Sequence, residues 1–224
     1  MFIVYFIIIL IIPLWAQMRV RGSYKKYSKV ASSSMMTGRE VARRILDSNG
    51  LYDVSVEETR GVLSDHYDPR SKVVRLSTDN YHGSSVAAAA IAAHEVGHAI
   101  QDQQAYAFLR FRHALVPVAN IGSNFSWILI LIGFILGASN FVLLGIVFMA
   151  AAVLFQFVTL PVEFNASSRA MDEVVALGII RNDEERETKK VLNAAALTYV
   201  AAAAVAVLEL LRLIMIYTGM QRND

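Results

Sequence analysis

Residues 114–162 read ALVPVANIGSNFSWILILIGFILGASNFVLLGIVFMAAAVLFQFVTLPV, and these 49 residues include no Asp, Glu, Lys, Arg or His. One transmembrane helix needs about 20 predominantly apolar residues, so the stretch is long enough for two. Gly137-Ala-Ser-Asn140, near its centre, has the composition of a turn. The stretch therefore predicts a transmembrane hairpin, around which the rest of the chain is organised.

Two further apolar stretches lie at the ends of the chain. Residues 1–18 carry no charge, and they lack both the basic start and the small-residue cleavage site of a signal peptide. They therefore predict an uncleaved anchor. Residues 194–217 are interrupted only by Glu209 and Arg212, which are three apart and can neutralise each other. Together these stretches predict a mainly α, multi-pass membrane protein with four transmembrane helices.

The charged residues fall into two segments that the spans separate. Lys and Arg occur in residues 19–113 and again in residues 163–193, whereas the Gly137–Asn140 turn has none. By the positive-inside rule both segments are cytoplasmic, in a protein of the cell membrane. The predicted segments are 1–18 (anchor), 19–113 (cytoplasmic domain), 114–162 (hairpin), 163–193 (cytoplasmic helical segment) and 194–224 (fourth span and short tail).

Overall composition excludes some classes of function. The chain has 224 residues, is 55% hydrophobic and contains no cysteine, so disulfides and thiolate metal ligands are excluded. A net charge of +2 gives no indication of nucleic-acid binding.

Residues 19–113 form the only segment polar enough to fold in water. A helix is predicted over Arg39–Ser48, with Gly50 as its cap, followed by strands over 54–58, 61–68 and 72–78. Two interpretations of the last strand stay open. It is either an edge strand onto which an extended substrate adds, or an ordinary strand of the sheet.

The sequence His94-Glu95-Val96-Gly97-His98 matches H-E-x-x-H, in which two histidines four apart share a metal ion. The helix that this spacing requires is predicted from Ser84 or Ser85, as N-cap, through an alanine-rich run. His94 and His98 are the predicted Zn²⁺ ligands, and Glu95 is close enough to a metal-activated water to act as a base. The alternative is two surface histidines that flank a glutamate by chance.

A catalytic zinc takes three protein ligands, so one more is needed. The longer H-E-x-x-H-x-x-G-x-x-H pattern is absent, because Gln101 and Gln104 occupy its last two positions. The predicted hairpin returns to the metal side at Glu163, and Pro161 is predicted to start a helix there. Glu163 is the predicted third ligand, and Asp102 is the best substitute. Alternatively, Glu163 only favours the positive end of its helix.

At this point the chain resembles the YugP-type bacterial membrane zinc metallopeptidases. The resemblance rests on His-Glu-Val-Gly-His followed by Ala-x-Gln-Asp, a two-span hairpin, Pro-Val-Glu-Phe-Asn-Ala-Ser and Asp-His-Tyr-Asp-Pro. More distantly, the chain is similar to the HtpX-like proteases, which have an Asp four residues after the zinc-binding Glu. Ser167 stands at that position here and could still donate a hydrogen bond. The resemblance implies a neutral zinc protease, without naming a substrate.

The sequence therefore predicts a membrane peptidase with a small cytoplasmic α+β zincin-like domain and one Zn²⁺ per chain. Its expected partners are the lipid bilayer and membrane or membrane-proximal protein substrates, and no nucleic acid. Arg169, Tyr67 and His66 are candidates for a donor to the oxyanion. The alternatives are a small four-span transporter or channel, and a non-catalytic zinc-binding membrane adaptor.

Overall fold

The structure is a computed structural model that describes residues 2–221. Met1 and residues 222–224, at the outer ends of the predicted first and last spans, lie outside the described residues. The described part is mainly helical, with one small sheet. Its elements are α1 (Phe2–Tyr27), α2 (Gly38–Ser48), β1 (Ser55–Thr59), β2 (His66–Asp68), β3 (Val73–Ser77), α3 (Thr78–His82), α4 (Val86–Gln103), α5 (Ala107–Leu136), α6 (Ser139–Ala176) and α7 (Glu185–Gln221).

Four of these helices are long and apolar enough to cross a membrane, over Ile3–Tyr27, Ala107–Leu136, Ser139–Ala176 and Glu185–Gln221. They display many exposed large apolar side chains, as expected for surfaces that face lipid. The prediction of a mainly α, multi-pass fold with four spans and a small α+β part is confirmed. Each long helix extends beyond the apolar stretch that predicted it, into an adjoining polar segment.

Helix α6 differs from prediction because it continues through Pro161 without a break. The expectation that Pro161 starts a new helix is wrong. Pro13 in α1 and Pro117 in α5 are likewise inside helices. Proline is tolerated within membrane helices, since packing against neighbouring elements compensates for the lost backbone hydrogen bond. One uninterrupted helix therefore joins the hairpin to the segment that carries Glu163.

The hairpin turns where predicted. Gly137 adopts φ +62° and caps α5, a left-handed conformation that favours glycine. Helices α5 and α6 then pack closely. A Cβ on Gly145 would lie only 2.6 Å from the side chain of Ile130, so the absence of a side chain at Gly145 permits this approach. Ser126 adds a hydrogen bond of 2.8 Å to the Gly145 carbonyl. This packing fixes the return path of the chain toward Glu163.

The sheet has the strand order β1-β3-β2, with β1 parallel and β2 antiparallel to β3. The interpretation of residues 72–78 as an edge strand is therefore wrong, since β3 lies at the centre. Val73, Val74 and Leu76 are at most 1% exposed, and such continuous burial is typical of a strand covered on both faces. The edge strand that contacts α4 is β2 instead.

The strand predicted over 61–68 is shorter in the structure, because residues 61–65 form a bend and loop and β2 begins only at His66. The helix and its caps agree with prediction. Helix α2 begins at a capping box, in which the side chains of Thr37 and Glu40 each accept a hydrogen bond from the backbone N–H of the other residue. Gly50 follows the end of the helix with φ +71°. Helix α4 begins at Ser85, whose hydroxyl accepts from the backbone N–H of Ala88 at 3.1 Å. The alanines of α4 are almost completely buried, and their small size lets α2, α6 and α7 approach the helix that carries the candidate ligands.

Candidate metal centre

Helix α4 presents His94 and His98 on one face, one helical turn apart. Their ring centroids are 4.8 Å apart. Residues four apart on a helix lie above one another, so both imidazoles face the same space. Each side chain is only about one eighth exposed. The spacing of the motif is therefore realised as a pair of converging, largely buried imidazoles.

Glu163 reaches the same space from α6. One nitrogen of each histidine and a carboxylate oxygen of Glu163 all lie within 4.8 Å of one another. The Oε2 atom of Glu163 is 3.3 Å from Nε2 of His94 and 3.6 Å from Nε2 of His98. Glu163 is 1% exposed, although it is an acid on a membrane helix. The structure thus brings together the three residues that the sequence predicted as ligands.

The close approach of α4 and α6 depends on Gly97, inside the motif. A Cβ added there would lie 2.6 Å from the carbonyl oxygen of Ala166, which belongs to the backbone of α6. Only glycine leaves room for this contact. Because Gly97 adjoins His98 and Ala166 lies three residues after Glu163, the contact holds the two helices at the distance that joins the ligands.

Each histidine is oriented by a hydrogen bond at Nδ1, on the side of the ring away from Glu163. Nδ1 of His94 lies 3.2 Å from the hydroxyl of Ser167, and Nδ1 of His98 lies 3.0 Å from Oε1 of Gln101. The amide of Gln101 donates in turn to the carbonyl of Val162 at 2.8 Å. Such partners fix which ring nitrogen is free for a metal, here Nε2. Ser167 therefore makes the contact that its position suggested, whereas the role of Gln101 was not predicted.

Arg112 completes the surroundings of Glu163. Its Nη1 atom donates to Oε1 of Glu163 at 3.1 Å, which leaves Oε2 directed at the histidines. From sequence, Arg112 contributed only to the count of positive charges beside a span. A buried carboxylate needs a partner, and an arginine at the boundary of the adjacent helix is a signal that could have identified it.

Asp102, the proposed substitute ligand, lies in a different network. Its Oδ2 atom accepts from Tyr67 and from Lys72, each at 2.9 Å. Burial alone would raise the pKa of Asp102, but these two donors outweigh burial and hold it below the ordinary value. Asp102 is not a member of the metal-ligand group.

Glu95 lies beside the cluster without joining it. The residue is 9% exposed, and burial raises the pKa of its carboxyl from 4.5 to about 7, against the opposing effect of His94. A carboxyl group with this pKa both accepts and releases a proton near neutral pH. The structure therefore places an acid–base group next to three candidate ligands.

A cavity of about 220 Å³, which we call the polar cavity, opens onto all four residues. Its walls include Tyr67 and His66, two of the predicted oxyanion donors. The third candidate, Arg169, does not line the polar cavity and instead donates to the side chain of Asn165 at 2.7 Å. His113 and Tyr199 also line it, and neither was predicted as a site residue, since His113 lies at the membrane boundary and Tyr199 lies in a predicted span.

The donor set fits Zn²⁺. Two imidazole nitrogens and one carboxylate oxygen form one of the standard catalytic sets. Ligand atoms about 2.1 Å from a tetrahedral zinc are about 3.4 Å apart, close to the observed separations of 3.3 Å and 3.6 Å between Glu163 and the histidines. A divalent cation would also neutralise the buried carboxylate. The residues present therefore match the cofactor that the motif predicts.

Comparison with known proteins gives two matches that span nearly the whole chain. The model of the family described as "Putative neutral zinc metallopeptidase" matches residues 2–218. The chain is also 57% identical over 203 residues to "Putative membrane protease YugP" of Bacillus subtilis (strain 168). That match covers 91% of this chain and 90% of the relative. No solved structure matches the chain.

Proposed function

Because the chain belongs to the neutral zinc metallopeptidase family, as its motifs predicted, we propose that it is a membrane-embedded zinc-dependent endopeptidase. It hydrolyses peptide bonds of membrane or membrane-proximal proteins at the cytoplasmic face. The observation that carries the proposal is the convergence of His94, His98 and Glu163 to within 4.8 Å, with Glu95 beside them. This combination of three ligands and one free carboxylate is typical of metal-assisted hydrolysis.

The proposed ligands are Nε2 of His94, Nε2 of His98 and Oε2 of Glu163. When bound, Zn²⁺ supplies Lewis acidity that acidifies a water molecule and polarises the substrate carbonyl. The carboxylate of Glu95 accepts the proton of that water as the water attacks the carbonyl carbon. Glu95 then delivers the proton to the departing amine, so that the base is restored at the end of each turnover.

The surrounding residues hold this arrangement in place. Ser167 and Gln101 orient the two imidazoles through Nδ1, and Arg112 holds the second oxygen of Glu163. Outer partners of this kind commonly contribute tenfold to hundredfold to metal affinity or activity.

The cytoplasmic location is supported by the distribution of positive charge. Basic residues flank the site on both sides, as in residues 19–29 and 186–190, whereas the turn at the opposite end of the hairpin has none. Arg112 and Glu163 adjoin the two ends of the uncharged stretch 114–162, where the predicted spans meet the charged segments. We therefore assign the substrate pool to membrane proteins and to segments adjacent to the bilayer.

Two other classes of function are less well supported. A transporter needs a polar path, but Glu209 and Arg212, the charged residues within α7's apolar stretch, pair with each other at 3.7 Å. A structural zinc site is usually closed by four protein ligands, whereas this one opens onto the polar cavity beside a free carboxylate.

The decisive experiment separates metal binding from chemistry. Glu95→Gln should retain zinc in the purified full-length protein and lose peptide cleavage, because it removes the base and no ligand. His94→Ala should lose both zinc and cleavage. Metal content and hydrolysis of a casein-type substrate, each with and without chelator, measure the two properties. Cleavage by Glu95→Gln at near the wild-type rate would exclude the mechanism.

A further inference from the structure

A second cavity, of about 190 Å³, meets the candidate metal centre at His94 and Glu95. Beyond these two residues its walls are mostly carbon, and we call it the apolar cavity. Helices α1, α4 and α7 contribute most of its wall, and the loop before β2 adds Leu63 and Asp65. The side chains that give it its apolar character are Val20, Tyr24, Ile91, Val191, Leu192 and Ala195.

The apolar cavity is an extension of the site and follows from helical periodicity. Ile91 lies three residues before His94 and four before Glu95, so all three share one face of α4. On α7, Val191 and Ala195 are four residues apart and face the same space. A group held against Ile91 is therefore directly beside the proposed base.

The chemistry of the walls indicates the occupant. Ile91 and Ala195 are only partly buried, so carbon surface next to Glu95 is left uncovered by the protein itself. Apolar surface in a concave site is stabilised by an apolar group that displaces water from it. The polar cavity differs, because His66, Arg112 and His113 are among its lining residues. The two cavities share Asp65, His94, Glu95 and Tyr199 and differ in the rest of their walls.

We propose that the apolar cavity receives a large apolar side chain, such as that of Leu, Ile, Met or Phe, from the substrate residue next to the scissile bond. The apolar cavity thereby selects which peptide bond of the substrate is cleaved. The inference rests on the proposed function, since a peptide bond presented to Glu95 is what brings a side chain to Ile91. Because only one of the two cavities is apolar, the preference applies to one side of the scissile bond. Substrate segments rich in apolar residues, as found near membranes, meet this requirement.

The test begins with the cleavage sites themselves. Purified full-length protein is incubated with a mixture of peptides of known sequence, and the products are identified by mass spectrometry. A large apolar residue should be enriched at one position adjoining the cut. A flat or charge-directed profile would overturn the inference. Complete absence of cleavage by zinc-loaded protein would overturn the proposed function instead, so the two failures are distinct.

Ala195→Phe then fills the apolar cavity from α7. For a matched pair of peptides with Leu or Ala at the selected position, it should lower kcat/KM at least tenfold for Leu and less than threefold for Ala. The control is Val200→Phe, on the same helix, where the native side chain is 39% exposed and lines neither cavity. Should Ala195→Phe fail to fold, Ile91→Ala enlarges the cavity and should shift the preference from Leu toward Phe. Equal loss for both peptides would overturn the inference.

Binding provides a readout that does not depend on turnover. The Glu95→Gln variant should bind the Leu peptide at least tenfold more tightly than one with Asp at that position, measured by fluorescence anisotropy. Adding Ala195→Phe should abolish the difference. If Ala195→Phe leaves both cleavage and binding unchanged and instead removes co-purified phospholipid, the occupant is a lipid acyl chain and the inference is wrong.

Discussion

The contact between Gly97 and Ala166 offers a sharp test of how the metal centre is held together. In Gly97→Ala the new Cβ would lie 2.6 Å from the Ala166 carbonyl oxygen, about 0.8 Å closer than an ordinary contact of 3.4 Å. The opposing atoms belong to the backbone of α6, so no side chain can rotate away. The two helices must separate, and a separation of this size exceeds the ~0.5 Å tolerance typical of functional sites.

Two energies oppose each other in this variant. Alanine in place of glycine favours the helix by up to about 1 kcal/mol, whereas overpacking costs about 1–3 kcal/mol. Because the separation also increases the distance from His98 to Glu163, we expect zinc affinity to fall tenfold to hundredfold, or about 1.4–2.8 kcal/mol. Competition with a chromogenic zinc chelator, using the full-length protein, measures this directly.

The matched control is Gly22→Ala in α1. A Cβ there meets nothing within 4 Å, so it changes helix propensity alone and should leave zinc affinity unaltered. Wild-type zinc affinity in Gly97→Ala would refute the argument that this contact sets the ligand geometry.

Four other predictions concern ligation, charge and topology. Glu163→Ala should lower zinc affinity at least tenfold and abolish cleavage, whereas Asp102→Ala should leave zinc bound; the reverse result in a metal assay would move the third ligand to α4. Arg112→Gln should reduce zinc affinity about tenfold while helicity by circular dichroism is unchanged, since it releases the second oxygen of Glu163. Asp102 has a lowered pKa in the folded protein, so its stabilising effect is present above its unfolded pKa of about 3.9 and lost as pH falls through the folded value. Asp102→Asn should accordingly lower Tm at pH 7, and its effect should shrink as the pH is lowered below about 3.9; an effect that does not shrink in acid would contradict the assignment. A reporter fused after Gly137 should map outside the cytoplasm and one at Ser71 inside, and the opposite pattern would invert the orientation.

Sequence was sufficient for features that depend on local pattern. The uncharged run from 114 to 162, the alanine-rich helix and the capping residues Ser85 and Gly50 each follow from composition or spacing within one segment. The approach of Glu163 to the histidines could be predicted although Glu163 lies 65 residues beyond His98, because a transmembrane hairpin must return to the side it left.

Features that depend on contacts between segments were not accessible in this way. The central position of β3 is decided by which strands pair, and Pro161 is accommodated by the packing around α6. Arg112 lies beside a predicted span and Tyr199 lies within one, and neither position indicates by itself that the side chain reaches the site. The sequence of one segment does not indicate which of its side chains will contact another segment.

The continuity of α6 has a consequence for how this protein can be handled. At 1.5 Å per residue its 38 residues extend about 57 Å, nearly twice the hydrocarbon thickness of a bilayer. One continuous helix thus joins the turn of the hairpin to the carboxylate of Glu163, so a change in bilayer thickness that tilts α6 would also move a proposed zinc ligand. A soluble fragment of residues 19–113 would contain His94 and His98 but not Glu163, so it would lack one of the three proposed ligands. The lipid around α6 therefore influences the geometry of the candidate metal centre, and a detergent that replaces the lipid can change that geometry.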